Sequence, residues 1–386
     1  MLRSNVPTPD LPQGWAAQRL NEIALVHGGG RLGLTKSDYR PSGVPAFSAA
    51  GLDGFVEQAE GIKPSIILSA IGARCGKCFL TDGPWTTLAN TQVITPHSGK
   101  ADARYLHAIL NNEDYWNRSG SAQPFIKPSD VKGAWVPLPP LDEQRRIAEI
   151  LRSVDESIAA TVAVIEQAEA IWHGLTNALI WNLESDQPAC VRPLGTALRA
   201  TDYGVNVPLT LDAVGQPVLR MGNIQDGRIE LSDLKWGVVH PHEAEALALS
   251  VGDILFNRTN SRDLVGKVAL VREPTDCLYA SYIVRLSVDC TLADPYYLFA
   301  VLHSDRAQSA IKAIATPGVS QSNINPTSLK KQPVPLPDLK TQRSIAQQLR
   351  SVEDGRLRSQ QELEVLQVIK NDVSAALLSG RVRVPG

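Results

Sequence analysis

VPLPPLDEQRRIAEILRSVD at 136–155 and VPLPDLKTQRSIAQQLRSVE at 334–353 are two copies of one sequence motif. They lie 198 residues apart, and 13 of their 20 positions are identical. The same spacing aligns IKPSDVK (126–132) with INPTSLK (324–330). Weaker matches pair YLHAIL (105–110) with YLFAVL (297–302) and GKCFL (76–80) with GKVAL (266–270). A period this long indicates a duplicated domain, because solenoid repeats are far shorter.

Each copy of the motif leads into a predicted long helix. After a proline-rich entry, Asp142 is the predicted N-cap, and apolar residues then recur at steps of three and four as far as Leu179. This spacing is typical of a coiled-coil seam. The second helix repeats the seam more weakly, because Arg356, Ser359 and Lys370 occupy seam positions. An ordinary amphipathic core helix is the alternative interpretation of both.

The segments before the two helices contain short β-type runs separated by turn residues, such as SIILSA (65–70) and GDILFN (252–257). Each segment also has one predicted short helix, near 102–115 and 294–312, the second with Asp294 as N-cap and Pro295 at its first position. We therefore predict an α+β fold with two globular modules of mixed α/β structure. Two long antiparallel coiled-coil helices separate the modules in a pseudo-two-fold internal repeat. The predicted modules are 1–140 and 185–336, and the predicted helices are 141–184 and 337–386.

The composition is that of a soluble globular protein. Of 386 residues, 43% are hydrophobic and 20% charged, and no run approaches the ~20 apolar residues that cross a bilayer. Five scattered cysteines and no signal peptide at the start predict a cytoplasmic location. The net charge of −2 does not by itself favour a nucleic-acid binder, although a near-neutral total can hide basic faces.

No catalytic motif in the sequence is complete. Cys75 and Cys78 form a C-x-x-C pair, but the other cysteines do not supply a second pair for zinc. The DPYY stretch at 294–297 lacks the second proline of the amino-methyltransferase loop, and no glycine-rich cofactor loop precedes it. These gaps favour a binding function over an enzymatic one.

Three stretches resemble the specificity subunits of type I restriction–modification systems. They are GDILFNRTNSRDLVGKVALV (252–271), QSNINPTSLKKQPVPLPDLKTQRSIAQQL (321–349) and IKPSDVKGAWVPLPPLDEQRRIAEIL (126–151), and the resemblance covers essentially the whole chain. It implies two target recognition domains, each followed by a conserved spacer helix. Each domain would read one half of a bipartite, asymmetric site in double-stranded DNA, and the helices would fix the distance between the halves.

The resemblance also implies partners. Two modification (methyltransferase) subunits would dock on the helices, and restriction subunits would join that complex. S-adenosylmethionine, ATP and Mg would act in those partners, and this chain would contain no catalytic residue, cofactor or metal. An orphan DNA-binding or structural protein of the same fold, without partner enzymes, is the alternative. A methyltransferase with fused recognition domains is disfavoured by the missing motifs.

Candidate DNA-binding residues are those whose side chains can read base edges or hold phosphates. In the second module they are Arg220, Asn223, Asn257, Arg258, Asn260, Ser261, Arg262, Lys267, Gln321 and Asn323. In the first they are Arg74, Lys77, Gln123 and Lys127. For each, a solvated or turn-stabilising side chain is the alternative. Candidate subunit-interface residues are those repeated unchanged at the helix starts, Gln144, Arg145, Gln342 and Arg343, for which local capping is the alternative.

Overall fold

The computed structural model describes residues 2–6, 10–120, 122–318 and 321–384. The chain divides into two compact units of mixed α/β structure. Unit 1 comprises Met1–Val162 and Gln361–Gly386, and unit 2 comprises Ala163–Gln360. Two long helices contribute to both units, because both unit boundaries fall inside them. No helix among the described residues has the length and hydropathy needed to span a membrane.

Unit 1 begins with short strands and helices. The strands are β1 (Ala16–Arg19), β2 (Ala24–Gly28), β3 (Val44–Ser48), β4 (Gly51–Val56), β5 (Ile66–Ser69), β6 (Cys78–Leu80), β7 (Thr86–Thr87), β8 (Thr91–Pro96) and β9 (Trp135–Leu138). The helices are α1 (Leu20–Ile23), α2 (Ala103–Leu110) and α3 (Pro128–Lys132), with a 3-10 turn at Glu113–Tyr115. The first long helix, α4, spans Leu141–Thr176 and continues through a π-helical turn at Asn177–Trp181.

The main sheet of unit 1 has the antiparallel order β2-β8-β5-β6. Its central strand β5 is buried on both faces, as its apolar sequence IILS predicts. One face contributes to a core with α2 and Trp15, and Ile67 on the other face packs with Phe47 and Trp85. A second sheet has the order β4-β3-β7, and β1 pairs with β9. The layers place the loop after β5 at the surface.

Unit 2 has a corresponding set of elements. Its strands are β10 (Val191–Pro193), β11 (Leu198–Tyr203), β12 (Gln216–Leu219), β13 (Ile224–Gln225), β14 (Arg228–Ile229), β15 (Lys235–Gly237), β16 (Ile254–Asn257), β17 (Thr259–Asn260), β18 (Val268–Leu270), β19 (Leu278–Tyr279), β20 (Ile283–Val288), β21 (Thr316–Pro317), β22 (Ser322–Asn323) and β23 (Pro333–Pro335). Its helices are α5 (Leu183–Asp186), α6 (Pro241–Ala246), α7 (Pro295–His303), α8 (Asp305–Ala313), α9 (Pro326–Lys330) and the second long helix α10 (Leu339–Leu378).

The two larger sheets of unit 2 have the same strand arrangement as those of unit 1, and unit 2 adds the small sheets β13-β14 and β17-β22-β21. The four-stranded antiparallel order is β11-β20-β16-β18, and the three-stranded order is β15-β12-β19. The strand β10 pairs with β23, as β1 pairs with β9 in unit 1. Helix α7 is buried from Tyr296 to Leu302 and belongs to the main core of the unit. The sequence duplication is therefore a duplication of topology.

Two details of the predicted helices are corrected. The N-cap predicted at Asp142 is wrong, because helix α4 already begins at Leu141, the first residue of its predicted range, and the N–H of Gln144 donates to the carbonyl of Pro140 at 3.0 Å. The single helix predicted near 294–312 is two helices, since Ser304 has an extended backbone and its hydroxyl caps α8. The caps predicted at Asp294 and Pro295 are confirmed.

The weak middle of the predicted seam contains charged pairs. In unit 1, Lys370 Nζ lies 2.6 Å from Asp155 Oδ1. In unit 2, Arg356 Nη1 lies 3.3 Å from Glu169 Oε1. Each pair joins α4 to α10, so these basic residues bind carboxylates of the other helix.

Candidate nucleic-acid interface

In unit 2 the structure brings together two polar segments that are about 60 residues apart in sequence. Strand β17 follows β16 directly and pairs with β22, which pairs in turn with β21. This small sheet places 257–262 beside 321–323. Arg258 Nη2 donates to Asn323 Oδ1 at 3.1 Å, and its guanidinium lies 5.0 Å from the ring centroid of Tyr203. Ser261, Arg262 and Gln321 are exposed at the edge of this arrangement.

Unit 1 has the same pairing of segments in a simpler form. The loop after β5 contacts the segment before α3, where Gly72 N donates to Pro124 O at 2.9 Å and Ile126 N donates to Ala70 O at 2.9 Å. Arg74, Lys77, Gln123 and Lys127 are all exposed here. The predicted residues of unit 1 thus lie on two contacting segments, and part of those of unit 2 do as well, namely Arg258, Asn260, Ser261, Arg262, Gln321 and Asn323.

Several of the predicted side chains are already engaged. The Arg74 guanidinium donates to the carbonyl of Ala50, and Lys77 Nζ lies 4.0 Å from Glu113 Oε1. Lys267 Nζ donates to Gln225 Oε1 at 3.0 Å. These contacts involve exposed groups, so they can be exchanged for a ligand at modest cost.

Two candidates are wrong because they lie inside the protein. Asn223 is 2% exposed, accepts from Arg220 N at 2.8 Å and donates to Glu230 O at 2.7 Å. Its role is to close the turn after β12. Asn257 is fully buried at the end of β16. Arg220, a third candidate, pairs with Asp233 at 2.5 Å and is one-quarter exposed.

The glutamines predicted at a subunit interface are also wrong, because both are fully buried. Gln144 Nε2 donates to Pro139 O at 2.9 Å and to Lys100 O at 3.2 Å, and Gln144 Oε1 accepts from Asp102 N at 2.9 Å. Gln342 makes the same three bonds with Pro337, Leu292 and Asp294. Each glutamine fastens the start of a long helix to the short helix of its own unit. The neighbouring Arg145 and Arg343 are exposed and stay candidates.

The structure shows two features that the sequence analysis missed. Tyr203 lies under Arg258 although 55 residues separate them, and no sequence signal connects the two. Arg343, Arg350 and Arg358 line one cavity of about 330 Å³ on α10. Their spacing of seven and eight residues places them along one helix face, so a helical-wheel inspection could have found this row.

The C-x-x-C pair is structural. Cys75 Sγ and Cys78 Sγ each contact a backbone carbonyl, and burial raises the pKa of both thiols. A buried thiol with a raised pKa is a poor nucleophile and a poor metal ligand. Among the described residues, no cluster of three or more His, Cys, Asp or Glu side chains could hold a metal ion.

A duplicated mixed α/β unit, with a pair of contacting polar segments in each copy and a long helix after each copy, defines a class of two-domain recognition protein. The model of the family described as "Type I restriction modification DNA specificity domain" matches residues 12–170 and 210–367. The chain belongs to this family.

Named relatives and a solved structure agree with this assignment. The putative type I restriction enzyme MjaX specificity subunit of Methanocaldococcus jannaschii is 32% identical over 193 residues, which are 49% of this chain and 45% of the relative. The EcoKI specificity subunit of Escherichia coli K12 is 26% identical over 58% of this chain and 52% of its own. The chain thus spans about half the length of these two relatives. The S subunit of the type I system from M. genitalium shares the fold, with a TM-score of 0.67 at 16% identity over 97% of this chain and 99% of that one.

Proposed function

We propose that this chain is the DNA-specificity subunit of a type I restriction–modification complex and that it has no catalytic activity of its own. The observation that carries this proposal is the pair of contacting polar loops that recurs in each unit. The family model of the DNA specificity domain matches the chain twice, at 12–170 and at 210–367. Each unit acts as a target recognition domain and reads one half of a bipartite, asymmetric site in double-stranded DNA.

The exposed side chains of each loop pair suit contact with DNA. Arginine and lysine recognise guanine edges or phosphates, and glutamine and serine bind adenine edges or backbone oxygens. Unit 2 presents Ser261, Arg262 and Gln321, whereas unit 1 presents Arg74 and Gln123 among its exposed residues. Since the two sets differ in type and order, the two units read different half-sites.

The long helices have a second role besides the recognition of DNA by the two units. We infer that α4 and α10 form an antiparallel coiled-coil pair that sets the spacer between the half-sites and docks the modification subunits. The pairs Asp155–Lys370 and Glu169–Arg356 support this, because both join α4 to α10 in one antiparallel register. Arg145 and Arg343, exposed at the helix starts, are the proposed contacts with those subunits.

The partners supply the chemistry. In this proposal two modification subunits bring S-adenosylmethionine-dependent adenine methylation, and restriction subunits bring ATP- and Mg-dependent translocation and cleavage. The complex acts in the cytoplasm, where it protects the genome and restricts phage DNA.

Modified-base sequencing of the host genome, with and without this gene, tests the proposal. A split, asymmetric motif with methylated adenine should be present in the wild type, absent in the deletion and restored by the cloned gene. The half-sites and the spacer are then given directly by the motif. An unchanged pattern of methylation, in cells that express the modification subunit, would overturn the proposal and favour an orphan DNA-binding protein.

A further inference from the structure

Unit 1 contains an open groove of about 1230 Å³ between its recognition domain and the last turns of α10. The groove is lined by Phe79, Asn111 and Asn112 on one side and by Lys370, Ser374 and Ser379 on the other. Its volume exceeds the ~300–1,000 Å³ of an ordinary small-molecule pocket. A segment of protein, with several side chains, is therefore a better match than a single small ligand.

The internal repeat shows what fills the same place in unit 2. The 198-residue spacing aligns Lys370 with Trp172 and Ser379 with Trp181. Both tryptophans are 8% exposed. Trp172 packs edge-on to His303 with ring centroids 5.5 Å apart, and Trp181 Nε1 donates to Ser304 Oγ at 3.0 Å.

The residues that hold these two indoles have counterparts in the groove of unit 1. Aligning YLHAIL with YLFAVL places Asn111 at the position of His303 and Asn112 at that of Ser304, and both asparagines are exposed. Unit 1 thus has a site that corresponds to the one in which unit 2 buries two indoles. In unit 1, however, Lys370 and Ser379 lie at the positions of the two tryptophans. Only about 240 Å³ remains open beside Trp172 in unit 2.

The charged side chains at the rim of the groove indicate which residues an occupant should carry. Lys77, Lys370 and Arg381 line it, against one carboxylate from Glu113. Lys77 Nζ lies 4.0 Å from that carboxylate, and Lys370 Nζ pairs with Asp155. Arg381 is exposed and forms no ion pair within the described part of the chain. An acidic residue next to an apolar anchor suits this rim.

We propose that the groove receives an aromatic side chain, flanked by an acidic residue, from a modification subunit. This inference rests on the proposed function and extends it, because it makes the two docking events different: unit 1 takes an aromatic anchor from its partner and unit 2 supplies its own. Aromatic side chains that fill such pockets dominate the binding energy of protein interfaces.

The double variant Lys370→Trp with Ser379→Trp tests the proposal by giving unit 1 the residues of unit 2. The purified chain should bind one modification subunit as the wild type does and the other at least about tenfold more weakly, as expected for the loss of one anchor. Sedimentation velocity and titration calorimetry with the purified modification subunit measure this change in stoichiometry. The matched control is Asp372→Trp on the same helix. Its counterpart Gly174 faces open space, so binding should stay unchanged.

A second measurement does not depend on how well the double variant folds. Ser374→Cys, in a Cys290→Ser background, carries an environment-sensitive fluorophore in the groove, because the other four cysteines are buried. Its emission should shift to the blue when the modification subunit is added. The same label on Asp372→Cys should not respond.

The outcomes separate the two proposals. If the wild-type chain binds the modification subunit but the double tryptophan variant binds equally well and the groove label does not shift, the groove inference is overturned and the proposed function stands. If the wild-type chain does not bind the modification subunit at all, both are overturned.

Discussion

Gln342 and Gln144 show how one buried side chain holds a recognition domain on its helix. Gln342→Ala should lower the free energy of unfolding by about 1–3 kcal/mol, because the N–H of Asp294 and two carbonyls lose their partner inside the protein. Urea denaturation measures the effect, and Gln144→Ala should behave alike. Arg343→Ala, one residue away and exposed, is the control and should change stability by less than about 0.5 kcal/mol. Equal stability of Gln342→Ala and wild type would contradict this stabilising role of the buried glutamine.

Glu143 is a second single-residue case, and its charge makes stability depend on pH. Hydrogen bonds from Arg383, at 2.7 and 2.8 Å, lower the pKa of the Glu143 carboxyl, with smaller contributions from Val384 and Trp15. A carboxyl whose pKa falls on folding stabilises the protein above its unfolded-state pKa, and that stability is lost as pH falls through the folded-state pKa. Glu143→Gln should therefore flatten the acid side of the melting-temperature profile between about pH 7 and pH 3. A parallel profile for the wild type and the variant would refute this.

At this scale the sequence predicted residue type better than residue role. The repeat revealed Gln144 and Gln342, but their partners Asp102 and Asp294 lie 42 and 48 residues away. Only the folded chain shows that the amides face inward. Asn257 is a similar case, because a polar residue at the end of a strand can point to solvent or to the core, and here it is buried.

At the scale of elements, helix α10 contains a glycine that the fold does not need. A Cβ at Gly355 would meet no heavy atom within 4 Å, whereas the first copy of the repeat has Ser157 there. Gly355→Ala should raise the free energy of unfolding by about 0.5–1 kcal/mol, because alanine loses less backbone entropy in a helix. Gly204→Ala is the contrasting variant and should destabilise, since its Cβ would overlap the carbonyl of Tyr279. Thermal denaturation compares both with wild type, and a loss of stability in Gly355→Ala would contradict the prediction.

The elements that the sequence predicted best are those with a long periodic signal. The seam predicted both long helices, and α4 begins at the first residue of its predicted range, although Asp142 is not its N-cap. The break at Ser304 was missed because it depends on one serine whose hydroxyl caps the next helix. The small β17-β22-β21 sheet was also missed, since two-residue strands carry no periodicity.

At the scale of the whole molecule, the duplication predicted that two units share one topology, and the sheet orders agree. It did not predict that the units differ at the groove. Unit 1 has Lys370 at the position where unit 2 has Trp172, and a single difference of this kind leaves the repeat recognisable while it opens a large space. Duplication therefore preserves the scaffold, while individual side chains differ between the copies.

If each unit reads its own half-site, a substitution in one unit should change only that half of the DNA motif. Arg262→Ala in unit 2 should relax the preference at one base pair of one half-site by about 1–3 kcal/mol, because an arginine contact to a base edge is lost. Arg74→Ala in unit 1 should act on the other half, and Arg192→Ala, exposed on β10, should alter neither. Binding of the assembled methyltransferase complex to duplexes with single base changes in each half measures the pattern. An arginine that holds only a phosphate would instead weaken binding to all sequences alike and reduce its salt dependence. Loss of discrimination in both halves after a change in one unit would show that the units do not read independently.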